Sequence, residues 1–245
     1  MSVRAVLFDA GNTLLFLDYE RLAAGVSPVV GLDLTASGLA RGADQAAREM
    51  ERAAATDRER ASLYLEALFR LAGVPDERLE DVRRVLHRLH AERHLWTGVD
   101  SRTAAALSRL RAAGLKLGVV SNSDGRVEQA LAAAGLRDYF DVVVDSGLTG
   151  IEKPDPRIFA AALDALGIAP EEAIYIGDIY EVDVVGARAA GLAAALVDPD
   201  GRHAGRGLPT GRSVADVIDL LAREGELQLD PAASDHCEPA GRGPS

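Results

Sequence analysis

The feature that most restricts what this chain can fold into is a change of grammar near residue 97. Beyond it, short apolar runs recur between helical stretches: Leu115–Val120, interrupted only by Lys116 and Gly118, then Val142–Val144, Ala173–Ile176 and Ala193–Val197. A strand that is apolar at every position, rather than at alternate ones, has to be buried on both faces. The intervening stretches supply the cover. They read as helices over Ser101–Ala113, stopped by Gly114, over about Arg126–Ala134, ended by Gly135, and over 156–166 and 181–190. Such alternation describes a doubly wound α/β core, a parallel sheet with helices on both sides. One further apolar run, Val3–Phe8, lies far upstream and belongs to the same sheet in this reading.

Between that first strand and the rest, residues from about 19 to 96 read as helical. Ala43, Ala46, Ala47, Met50, Ala53 and Ala54 fall at helical spacing, as do Tyr64, Ala67, Leu68 and Leu71, and then Leu79, Val82, Leu86 and Leu89. Gly73-Val74-Pro75-Asp76 separates the second set from the third, with Pro75 at a helix start. The organisation expected is an α/β core over 1–16 and 97–224, a helical insertion over 17–96 and a flexible Pro- and Gly-punctuated tail over 225–245. A length of 245 residues suits one domain carrying an insertion.

Charge and composition narrow the partners. With 38 acidic residues against 27 basic ones, the net charge of −11 argues against a sequence-independent grip on nucleic acid or an anionic membrane. No apolar run approaches the ~18 residues of a membrane span, and the first residues carry no secretion-type apolar segment. A lone cysteine, Cys237, allows no internal disulfide. A cytoplasmic protein is expected, and no sequence feature assigns an oligomeric state.

In a doubly wound sheet, ligands sit beyond the carboxyl ends of the strands, where the strand order reverses. Four such ends carry polar residues here: Asp9 and Thr13, then Ser121 and Asn122, then Lys153 in Lys-Pro-Asp-Pro, and finally Asp178 with Asp183. Lys153 stands out because Lys116 is the only other lysine. Together they suit phosphoryl transfer. A carboxylate such as Asp9 can act as nucleophile. Asp9 and Asp178, with Asp183 close by, offer the oxygen ligands that Mg²⁺ prefers. Lys153 and Ser121 can hold phosphoryl oxygens, with Thr13 and Asn122 beside them.

This assembly resembles the haloacid dehalogenase-like hydrolase superfamily over about residues 3 to 200. The resemblance rests on Asp9-Ala-Gly-Asn-Thr13, Val-Val-Ser121-Asn, Glu-Lys153-Pro-Asp-Pro-Arg-Ile-Phe and Ile-Gly177-Asp178-Ile-Tyr-Glu-Val-Asp183. It implies a Rossmann-like core with the helical insertion as a cap, and a Mg²⁺-dependent phosphatase acting on a small phosphorylated metabolite. Asp9 would be the nucleophile, and Ser121 and Lys153 its phosphate partners. Asp178, Asp183 and the Gly11 carbonyl would hold the metal together with Asp9.

One departure matters. Phosphatases of this family usually read Asp-x-Asp-Gly-Thr, the second Asp serving as general acid and base, but here that position is Gly11, followed by Asn12. Losing such an acid typically costs ~10²–10⁴-fold in rate unless the leaving group is good or another residue substitutes. The family's phosphonate-cleaving branch needs a cap lysine, and residues 1–115 contain none. A metal-independent dehalogenase and a non-catalytic binding protein stay open beside the phosphatase. His87, His90 and His94 share one side of a helix, where three ligands diverge too much for tetrahedral zinc, so they read as flanking an apolar stripe. A histidine reaching the site in place of the acid is the alternative. Tyr19, Tyr64, Phe69 and Trp96 read as packing residues.

Overall fold

The computed structural model of the protein describes residues 2–51 and 57–229. The chain runs β1 (Ala5–Phe8), β2 (Phe16–Leu17), α1 (Tyr19–Val30), α2 (Ala36–Glu51), α3 (Asp57–Leu71), α4 (Leu79–Glu92), β3 (Trp96–Gly98) and α5 (Thr103–Ala112). It continues through β4 (Lys116–Ser121), α6 (Val127–Ala133), β5 (Val142–Asp145), α7 (Ser146–Thr149), α8 (Pro156–Leu166) and β6 (Ala173–Gly177). A π-turn over Tyr180–Val184 leads into α9 (Val185–Ala189), and β7 (Ala193–Val197), β8 (Thr210–Gly211) and α10 (Val214–Arg223) follow. Ala53 and Ala54, read as helical, lie outside the described residues.

Among the described residues, six parallel strands form one sheet in the order β5-β4-β1-β6-β7-β8. This is the α/β, doubly wound arrangement expected from the apolar runs. β1 lies at its centre, with Phe8 level with Val119 of β4 and with Ile176 of β6. Side chains alternate across the pleat. Val6 and Phe8 join Val119 and Ile176 on one face beneath α5, α6 and α10, while Leu7 and Tyr175 pack on the other against Ile158 and Phe159 of α8. Asp9 therefore emerges at the carboxyl edge, on the strand flanked by both halves of the sheet.

Residues 17–95 gather a third core of their own, with Leu22 and Val26 of α1, Leu39 of α2, Leu68 of α3 and Val82 and Leu86 of α4 buried together. The chain leaves for these helices along β2 and returns along β3, and the two strands pair antiparallel. No strand was expected there, because two- and three-residue strands are too short to show a period. Trp96 packs against both this core and the sheet.

Three further differences from the sequence reading have local causes. The helix expected over 181–190 opens as a π-turn, because the Asp183 carboxylate turns back to accept from the Asp178 and Ile179 amides at 3.0 and 2.9 Å. β8 and α10 occupy a stretch to which the sequence reading assigned no element. The expected tail begins too early at 225: Leu227 is buried against the core, and its amide and that of Glu226 bond to the Leu221 carbonyl. Residues 230–245 lie outside the described residues.

The carboxyl edge is held by a buried acid. Asp145, at the end of β5, accepts from the backbone amides of Gly147, Gly125 and Val127 at 2.9, 3.0 and 3.0 Å. It thereby ties the loop after β4 to α6 and α7. Gly147 has no room for a side chain, since a Cβ would stand 2.5 Å from the Gly125 amide. Leaving buried donors unsatisfied costs roughly 1–3 kcal/mol per group. Asp145→Ala is expected to lower stability by about 3 kcal/mol, measured as a reduced midpoint in urea unfolding at unchanged slope.

Candidate active site

The four strand-end segments converge at the carboxyl edge on one buried ammonium. Lys153 Nζ donates to Asp9 Oδ1 at 2.6 Å, to Asp183 Oδ1 at 2.7 Å and to Tyr175 Oη at 2.9 Å. Lys153, Asp9 and Asp183 are all buried. Tyr175, rising from β6, donates to the Val120 carbonyl at 2.9 Å and so tells the lysine where to sit. Burial works against the lysine's charge, but Asp183 and Asp9 outweigh it and hold the ammonium well above the ordinary lysine range. Burial also pushes the Asp9 carboxyl up to about 6 from an ordinary 3.8, with Lys153 pulling it down and Asp183 pushing it up.

Asp183 is fully engaged. One oxygen faces Lys153 and Tyr175 and the other takes the amides of Asp178 and Ile179. Gly177 is small because the Asp183 side chain lies over it, within 2.3 Å of where a Cβ would be. Thr13 Oγ1 lies 3.5 Å from Asp178 Oδ1. Asp9, Asp178 and Asp183 each present an oxygen within 4.8 Å of the others. Three carboxylates facing one ammonium leave the cluster negative, and an all-oxygen donor set of this kind fits Mg²⁺.

Ser121 is buried at the end of β4, level with Asp145 of β5, and faces the same cavity. Asn122, expected among the phosphate contacts, lines the cavity and turns its amide onto the Lys153 main chain. Its Oδ1 accepts from the lysine amide at 2.8 Å and its Nδ2 donates to the lysine carbonyl at 3.0 Å. The side chain positions Lys153. Asn12 adopts the left-handed conformation, with φ of 54°, which asparagine tolerates better than most residues.

Above the carboxyl edge lies a cavity of about 880 Å³, floored by Asp9, Ser121, Lys153 and Asp178. Its opposite wall comes from the helices: Tyr64, His87, His90 and His94, with Trp96 at the joint. Sequence reading treated Tyr64 and Trp96 as packing and the histidines as flanking a stripe. Nothing in a single helix says that its face will look down onto a sheet edge. His90 Nε2 lies 3.0 Å from Asp124 Oδ2, the oxygen on which Arg126 forks at 2.9 and 2.7 Å. Burial opposes the Asp124 charge, but Arg126 and His90 outweigh it and hold the carboxyl at about 2. Burial lowers the affinity of both His90 and His94 for a proton, with Arg126 and His87 adding to the effect on His90 and the His90 ring adding to that on His94. Tyr175, Trp96 and Asp124 escaped the sequence reading because their roles come from partners 22 to 84 positions away.

The raised Asp9 carboxyl has a consequence for stability. Its folded value of about 6 exceeds its ordinary 3.8, so above pH 6 the ionised group counts against the fold. Asp9→Asn is expected to raise the Tm of the metal-free protein at pH 7.5. The gain should shrink as pH falls through 6 towards 4, where the wild-type carboxyl is protonated, and calorimetry across that range checks it.

The chain has counterparts among known proteins. A family model for haloacid dehalogenase-like hydrolases matches residues 3–191. A haloacid dehalogenase-like hydrolase domain-containing protein 3 from mouse is 41% identical over 53% of this chain, a match spanning about half (51%) of the mouse protein's length. A phosphatase of Mycobacterium tuberculosis is 31% identical across 82% of this chain and 90% of its own. The crystal structure of a phosphatase from Thermococcus onnurineus superposes with a TM-score of 0.59 at 26% identity, covering 93% of this chain and 99% of that one. With a family match over most of the chain, and a parallel sheet of the same kind beneath it, the protein belongs to the haloacid dehalogenase-like hydrolases.

Proposed function

We propose that this protein is a Mg²⁺-dependent phosphatase that hydrolyses a small-molecule phosphate monoester through an aspartyl-phosphate on Asp9. The observation that carries this reading is the buried Lys153 ammonium held between Asp9 and Asp183, with Asp178 alongside, at the floor of a cavity large enough for a ligand. Such a floor, net negative as it stands, suits a divalent cation and, through it, a phosphoryl group. The phosphatase relative from Mycobacterium tuberculosis supports the same chemistry.

In this reading the Asp9 carboxylate attacks phosphorus as the bond from phosphorus to the leaving oxygen breaks. Lys153 neutralises one Asp9 oxygen and a phosphoryl oxygen, and Ser121 donates to another. Water then attacks the phosphorus of phospho-Asp9, releasing inorganic phosphate and restoring the carboxylate. Asp9, Asp178 and the Gly11 carbonyl would hold Mg²⁺, which offsets the repulsion between carboxylate and phosphate. Asp183, with both oxygens already engaged, steadies Lys153 and the Asp178 backbone. Helices α1 to α4 serve as a cap that closes over the substrate and limits water, with β2 and β3 as the joint.

The glycine at position 11 also favours two other readings, a dehalogenase that displaces halide from carbon without metal and a binding protein without turnover. One experiment separates them. Phosphate release from a panel of phosphomonoesters is expected with Mg²⁺ and not with chelator. Asp9→Asn should reduce it by at least 10³-fold and Lys153→Met by about 10²–10³-fold. Halide release from 2-haloacids that persists in chelator would replace the phosphatase with the dehalogenase. A Mg²⁺-induced rise in Tm with neither product would leave the binding protein.

A further inference from the structure

Position 11 and the wall opposite it bear jointly on which phosphate ester fits. Gly11 carries no acid, although its backbone would admit a side chain: its φ is not in the left-handed region, and a Cβ would meet only the Trp96 indole, Nε1 at 3.8 Å and Cδ1 at 3.9 Å, both ordinary contacts. The space beside the nucleophile loop is taken instead by the Trp96 indole, whose Nε1 donates to Asn12 Oδ1 at 3.2 Å. An indole N–H orients an acceptor but does not give up its proton. A leaving oxygen at this place meets an aromatic ring where an acid would otherwise stand.

The wall continues in the same character. The His94 ring lies 5.9 Å from that of Trp96, and the His90 ring 4.8 Å from that of His94. His94 Nδ1 accepts from the Trp96 amide at 3.2 Å, and His90 is bound to Asp124. Among the described residues lining the cavity, the lysine and arginine side chains are Lys153 and Arg126. Carboxylates hold both, Asp9 and Asp183 the first and Asp124 the second. Among the described residues, the cavity thus offers flat rings and no uncommitted cation to the part of the substrate beyond the phosphate. At about 880 Å³ it lies towards the upper end of sites that bury drug-sized ligands.

We infer that the substrate is an aryl phosphate, whose ring lies against the Trp96, His94 and His90 wall and whose phenolic oxygen departs without a proton from the enzyme. The inference rests on the phosphatase reading. In the step, a bond forms from Asp9 oxygen to phosphorus and the bond from phosphorus to the aryl oxygen breaks. The electron pair leaves on the aryloxide, which the ring stabilises and solvent protonates after release. An alkoxide has no such stabilisation, so alkyl esters need the acid that position 11 lacks.

The test compares phosphate release, with Mg²⁺ present, from 1-naphthyl phosphate and 1-naphthylmethyl phosphate, two esters of similar shape and unlike leaving group. A series of substituted phenyl phosphates extends the range. The aryl ester is expected to exceed the arylmethyl ester by at least 10²-fold in kcat/KM, with kcat/KM falling severalfold for each unit of leaving-group pKa. Gly11→Asp should narrow the gap by raising the arylmethyl ester, and Trp96→Leu should raise KM for the naphthyl ester more than it lowers kcat. Equal rates for the two esters, or a flat dependence on leaving-group pKa, would overturn the inference. A flat dependence that becomes steep in His94→Gln would assign the proton to that imidazole and overturn it equally. Failure to release phosphate from any ester strikes instead at the phosphatase reading itself.

Discussion

The ion cluster around Lys153 is the constraint on which the rest of the site depends. A lone ammonium in an apolar interior would shed its proton, and a lone carboxylate there would take one up. Here two carboxylates, a tyrosine hydroxyl and the lysine satisfy one another within 2.6 to 3.2 Å. The balance is incomplete: the negative charges exceed the positive ones, and burial, with Asp183 adding to it, leaves Asp9 with a raised affinity for a proton. In the phosphatase we propose, that imbalance would make the floor of the cavity receptive to a cation and then to a phosphoryl group. Stability is given up locally to hold the Asp9 carboxyl at the sheet edge.

The backbone around the cluster is shaped to keep it in place. The π-turn lets the Asp183 carboxylate fold back over Gly177 and cap two successive amides, so the acid is fixed from one side by Lys153 and from the other by the main chain. Asn122 fixes the lysine from below by exchanging two hydrogen bonds with its backbone. Asp145 performs a like task one strand further out, where three amides converge on its carboxylate. Each device joins segments distant in sequence through groups that would be costly to bury unpaired.

Trp96 links this floor to the helices. It lies where the chain returns from the helical insertion, packs into two cores, and reaches the nucleophile loop through Asn12. Any movement of the helices relative to the sheet is therefore felt beside Asp9. The same residue shapes the space that a side chain at position 11 would enter, so the substitution of glycine there and the placement of the indole belong to one arrangement.

Much was legible in the sequence because its signals are local. Unbroken apolar runs such as Ala173–Ile176 can only be strands buried on both faces, and Pro156 after Asp155 with Gly167 beyond Leu166 delimits α8 at both ends. Asp9, Ser121, Lys153, Asp178 and Asp183 could be singled out because parallel strands bring their carboxyl ends to one edge whatever their order. The two-residue β2 and the π-turn escaped, since neither has a period. The partners of Tyr175, the bonds of Asn122 to the Lys153 main chain and the place of Tyr64 and Trp96 in the cavity wall as well as in the core escaped too, while a histidine facing the site was only the alternative. Those depend on which helix face turns towards the sheet edge, and on which buried charge needs which neighbour. By itself the sequence determined the layers, the edge that bears the chemistry and the absence of an acid at position 11. Only the tertiary structure decided what fills that absence, because the packing of the insertion against the core, and not any local propensity, sets an indole and two imidazoles opposite Asp9.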